Sequence, residues 1–256
     1  MANLKNAPLI ESIFELRWGE IKTNYYEFSI EEESLLPGII ATLAFQNKYV
    51  VSENLQKGQH NLPQQITNRF RKGENTWPCL QIGMGIFTVN QIAKDYTWTN
   101  FKNDIIQGLM FFRNETVLKN IKNIDSAQVV LRYQDAFYPD KNITVGDYIS
   151  THFHLTAELP ASFYDNYIAS KNFKKINMQF EVELDDNMGT AALMFSNAII
   201  NGKDGLLVDT SIIQSVNKIS QNAKFSTDCI SVWLEKAHDI QEHAFKTIIK
   251  ASAYDE

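Results

Sequence analysis

The chain has little of what common metal, redox and nucleotide sites require. Its two cysteines, Cys79 and Cys229, stand 150 positions apart, so no CxxC pair exists and a cysteine-rich zinc site is excluded. Two isolated thiols fit a reducing compartment better than a disulfide scaffold. Glycine is sparse, 11 in 256 residues, and no GxxxxGK[ST] sequence occurs. Gly83-Met-Gly85 is the nearest approach to a nucleotide-binding turn. Position 88 is threonine, however, and the segment continues as strand through Val89, so these glycines read as a bulge or close-packing feature. No apolar run approaches 18 residues, so no membrane-spanning helix is expected. The opening MANLKNAPLIES has no continuous apolar segment, so no secretory signal is expected and the chain reads as cytoplasmic. Excess positive charge is missing as well. The formal net charge is −6, which disfavours nucleic acid and anionic membrane as partners.

The remaining composition is that of a folded chain, 44% hydrophobic and 21% charged. Ile13, Phe14, Leu16 and Trp18 predict a first strand. A helix should start at or near Pro37, since proline suits a first helical turn and breaks an interior, and Ile40, Leu43 and Ala44 follow at helical spacing. Residues 52–66 are polar, carry Gly58 and Pro63, and read as an exposed loop with Lys57, Gln59 and His60 at its tip, either a segment that a partner orders or a tolerated insertion without a role. Phe70–Trp77 and Leu80–Gln91 read as two antiparallel strands. Trp98, Phe101, Ile105, Leu109 and Phe112 then recur every three or four residues, a helix capped by Thr97 or Thr99. Ala127–Phe137 is a further strand.

The first half therefore reads β-α-β-β-α-β, the order of a ferredoxin-like split βαβ unit over residues 1–140. Residues 141–256 read as a short helix at 145–153, a β-meander and a C-terminal helix from about Asp228 to Lys250. The meander strands, 172–184, 190–200 and 206–213, are joined by Asp185–Gly189 and Asn201–Gly205, and Thr227 or Asp228 caps the last helix. The fold class is α+β, with long amphipathic helices on antiparallel sheets in two units that could also form one continuous domain.

Candidate chemistry is thin. His152 and His154 face one way only in extended chain and lack a third ligand at suitable spacing. His238 and His243, five apart on a helix, diverge by about 140°. The frequent aromatics read as core, because few basic residues flank them. Asp209 follows the apolar run Leu206–Val208, and a carboxylate there is costly unless paired. Arg132, Arg17 and His238 are its candidate donors. These four are the candidate ligand or partner residues; no catalytic residue, metal site or cofactor is expected.

Six stretches carry one further reading: NAPLIESIFELRW (6–18), LQIGMGIFTVN (80–90), YTWTNF (96–101), LRYQDAF (131–137), LLVDT (206–210) and LEKAHDIQEHAFKTII (234–249). In this order and spacing the chain resembles the sporadically distributed prokaryotic family of uncharacterised proteins about 250 residues long. The resemblance implies an accessory gene product. By analogy with such genes, it implies a non-enzymatic interaction or sensor protein of a phage-defence or toxin–antitoxin system, acting through a protein partner or self-association. The alternative is a small-ligand binder or enzyme using a polar cleft between the two halves.

Overall fold

The computed structural model describes residues 8–21, 26–55, 62–140, 142–164, 173, 175–221 and 224–254. In chain order the first elements are β1 (Leu9–Arg17), the two-residue strands β2 (Glu20–Ile21) and β3 (Tyr26–Glu27), and helix α1 (Leu36–Gln46). Then come β4 (Val51–Asn54), β5 (Ile66–Arg71), β6 (Cys79–Gly83), β7 (Ile86–Ile92), α2 (Trp98–Leu109) and the short α3 (Glu115–Lys119). The rest are β8 (Gln128–Phe137), α4 (Val145–His152), β9 (Asn177–Leu184), β10 (Gly189–Ile200), β11 (Lys203–Ser215), α5 (Val216–Ile219) and α6 (Thr227–Ile248).

Nine strands form one antiparallel sheet in the order β4-β5-β6-β7-β1-β8-β11-β10-β9. The fold is thus α+β, but the two expected sheet units are one. β8 and β11 pair from Leu206↔Phe137 to Ser215↔Gln128, which carries the hydrogen-bond ladder from the first half of the chain into the second. β1 sits between β7 and β8, and its burial follows from having a neighbour on each side.

Strand parity sorts the sheet into two unlike faces. Phe14 and Leu16 of β1, Phe87 and Val89 of β7, Leu131 and Tyr133 of β8 and Ile212 of β11 point to one face, where they pack with Ile40 of α1, Phe101, Ile105 and Leu109 of α2, and Ile230, Trp233 and Leu234 of α6. Phe137, Leu206, Val208 and Phe195 extend that face and meet Tyr148 and Ile149 of α4 together with Phe153 and Ile249. Each fully buried Phe, Ile or Leu here contributes about 2 kcal/mol of transfer free energy. The buried apolar residues of these six α-helices belong to the two clusters, so the helices share one face and, among the described residues, leave the other helix-free.

Several local expectations are corrected. Leu80–Gln91 is a hairpin, β6 and β7, turning at Met84-Gly85, where Gly85 has φ +76°. Gly83 is needed for close approach: a Cβ there would lie 1.8 Å from the Gln65 carbonyl oxygen. Within the expected loop 52–66, Ser52, Glu53 and Asn54 pair with β5 as part of an edge strand, and the tip at Lys57, Gln59 and His60 lies outside the described residues. Thr97 caps α2 as expected, its hydroxyl accepting from Asn100 N at 3.3 Å. α6 is capped by Ser226, which accepts from Cys229 N at 3.3 Å; Thr227 is already helical and sits one position too late.

Candidate functional site

Asp209 lies mid-strand in β11, whose ladder runs on to Ser215. Its direct partner across to β8 is Gln134, and Ser211 faces Arg132, so Arg132 reaches Asp209 along the diagonal. Arg132 Nε donates to Oδ1 at 2.9 Å and to Oδ2 at 2.8 Å, Nη2 also donates to Oδ2, and Gln134 Nε2 donates to Oδ2 at 2.9 Å. The Asp209 side chain is 8% exposed and that of Arg132 29%. Burial alone would weaken the hold of Arg132 on its proton; the bonds to Asp209 and the charges of Asp209 and Glu15 outweigh it and raise its pKa.

On β1, Glu15 continues the chain of charges. Its Oε1 lies 3.7 Å from Arg132 Nη1, and its Oε2 accepts from Arg17 Nε at 2.5 Å. Arg17 is therefore tied to Arg132 through Glu15 and does not bond Asp209. The same helix-free face holds further internal pairs. Asn90 Nδ2 donates to Glu11 at 2.7 Å, Thr88 Oγ1 to Asn90 at 2.5 Å, and Arg71 Nε to Glu53 at 3.0 Å. Cys79 belongs to this face, and burial pushes its thiol up to about 11, which leaves it protonated at neutral pH.

His238 is not part of this array. It lies under α6 on the helix-covered face, its ring stacked on Trp98 at 4.1 Å and 13°. Nδ1 is 2.9 Å from Tyr133 Oη, which is 2.9 Å from Tyr96 Oη. Trp98 Nε1 donates to Glu235 at 2.6 Å, and Lys102 holds the other oxygen of that carboxylate at 2.6 Å. Burial lowers the imidazole pKa, so His238 is neutral at pH 7. Asp135 lies on the same side of β8, 5% exposed. Burial, then the charge of Asp209, pushes its carboxyl up to about 7.

The structure thus joins Asp209 and Arg132, attaches Arg17 through Glu15, and separates His238 by a layer of sheet. Residues the sequence reading missed are Glu15, Gln134, Tyr96, Tyr133, Trp98 and Asp135. Parity would have found half of them. Arg132 and Gln134 share a face that Tyr133 and Asp135 cannot share. His152 ends α4 and meets Ser252 Oγ at 3.1 Å. Among the described residues, no three His, Cys, Asp or Glu side chains are grouped to hold a metal ion, and no helix is long and apolar enough to cross a membrane. Compared with protein-family models, with curated proteins and with solved structures, the chain gives no match.

Proposed function

We propose that the chain is a non-enzymatic interaction protein that works by holding a protein partner. The observation carrying this reading is that its most conspicuous charged constellation is closed on itself. A catalytic or ligand-binding carboxylate would present a free oxygen to an open cavity. Asp209 instead accepts from both Arg132 and Gln134, and Arg132 turns Nε and Nη2 to Asp209 while its Nη1 lies 3.7 Å from Glu15. Such an array stiffens a sheet face and supports no proton transfer. At one end of the nine-stranded sheet the largely exposed strand β9 offers a partner an edge. The neighbouring strands β6-β7-β1-β8, with α1 and α2 on one side, support the ferredoxin-like reading of the core. A role as accessory component of a phage-defence or toxin–antitoxin system rests on the family resemblance alone.

A specific observation favours the second reading, a small-ligand binder. A polar cleft of about 430 Å³ opens at one end of the sheet, lined by Gln128, Glu183, Asn187, Gln214, Ser215 and Lys218. It lies away from Asp209 and Arg132. Recovery of the tagged chain from its native cell tests the two readings. A second polypeptide in stoichiometric amount, held equally by wild type and by Asp209→Asn below the melting point of that variant, supports the first. A stoichiometric small molecule with no polypeptide overturns it.

A further inference from the structure

Among the described residues β9 is the terminal strand of the sheet. Its pairing with β10 runs without a register shift from Gly189↔Leu184 to Ser196↔Asn177. The Asn197 amide donates to the Ile176 carbonyl at 3.2 Å and continues that register. Backbone groups alternate sides along a strand, so the even positions bond β10. The amides and carbonyls of Asn177, Gln179, Glu181 and Glu183 therefore point outward from the sheet.

Among the described residues this edge lacks the usual protections. No proline, lysine or bulge interrupts Asn177–Leu184. Its two faces differ. Phe180 and Val182 point to the helix side, but α6 covers β8 and β11 and leaves them 43% and 50% exposed. Gln179, Glu181 and Glu183 point to the helix-free side, and the following turn adds Asp185 and Asp186. An outward backbone ladder, an apolar row and an acidic row thus lie along one strand.

We propose that β9 takes up an extended segment of a partner protein as a tenth strand, and that this segment alternates lysine or arginine with apolar residues. The inference rests on the interaction reading above and names the surface and the chemistry of the partner. Backbone bonds would supply the pairing, the basic positions would face Glu181 and Glu183, and the apolar positions would cover Phe180 and Val182. A second copy of the chain fits poorly, because antiparallel β9–β9 pairing brings the glutamates of both copies together.

The probe is a capped octapeptide alternating lysine and valine, with a glutamate–valine octapeptide as control, added to the full chain and followed by amide hydrogen exchange. The lysine peptide should protect the amides of Gln179, Glu181 and Glu183 about tenfold, leave the even positions unchanged, and lose its effect as salt rises. The glutamate peptide should do nothing. Glu181→Pro removes one outward donor and spares the β10 ladder, so protection should vanish while the melting temperature holds. Glu181→Lys with Glu183→Lys should reverse the preference between the peptides, which keeps the test open if the proline variant fails to fold. Equal response to both peptides, no protection by either, or peptide-independent protection that grows with protein concentration each overturn the proposal. If the peptide fails while a polypeptide is still recovered from native cells, only the edge assignment falls; if neither binds, the interaction reading falls with it.

Discussion

Replacing Asp209 by asparagine removes the charge that Arg132 answers while keeping the shape of the side chain. One carbonyl oxygen remains to accept from Arg132, and Gln134 loses its charged acceptor. Glu15, at 3.7 Å, is then the nearest acid to Arg132. Breaking a fully buried pair costs about 3–5 kcal/mol. Here the Arg132 side chain keeps 29% of its exposure, so water takes up part of the stranded charge and the expected loss is about 2 kcal/mol. For a chain of this size that is a fall of about 4–8 °C in melting temperature. Urea unfolding at pH 7 followed by circular dichroism measures it. The paired replacement Arg132→Met with Asp209→Leu leaves no charge stranded and should lie within about 1 kcal/mol of wild type. A structural role for the pair is refuted if Asp209→Asn unfolds with wild-type stability, or if the double variant loses as much as the two single changes summed.

The Asp135 carboxyl is raised to about 7 in the folded chain, so folding binds its proton more tightly than the unfolded state does. Its contribution is complete below about pH 4 and is lost as pH rises through about 7. Asp135→Asn should therefore raise stability at pH 8, by up to about 4 kcal/mol, and change little at pH 3.5, as urea midpoints at the two pH values will show. Tyr133→Phe strips the hydroxyl between Tyr96 and His238 and leaves the buried His238 Nδ1 and the half-buried Tyr96 hydroxyl each short of a partner, at a cost of about 1–3 kcal/mol measured by the same unfolding assay. Gly83→Ala drives a methyl into the Gln65 carbonyl and should cost about 1–3 kcal/mol, read as a lower melting temperature with faster exchange of β5 amides.

The long helices α2 and α6 were legible because periodicity and burial agree, whereas the one-turn α3 and α5 are too short to show a period. Phe101, Ile105 and Leu109 are all fully buried, as are Ile230, Leu234 and Ala237. Boundaries in the sheet were harder. Met84-Gly85 turns a hairpin with none of the usual Asn or Asp, and the flanking alternation reads as one strand. Val51–Asn54 is a polar edge strand whose pairing depends on β5, which no local pattern reveals. The cost of burying a lone carboxylate called for a donor to Asp209 and left Arg132, Arg17 and His238 as candidates; the β8–β11 register selects Arg132. Placing His238 beside it failed because register and face are long-range properties. Tyr133 and Arg132 are adjacent in sequence and lie on opposite sides of the sheet.

Native mass spectrometry of the chain purified from its own cells, without denaturation, decides whether it holds a protein partner. The expected spectrum holds the chain bound to a second polypeptide, with that complex lost in the Glu181→Lys, Glu183→Lys variant although the variant is folded. A spectrum of the chain carrying a small molecule, with no polypeptide at any salt concentration, contradicts the interaction reading.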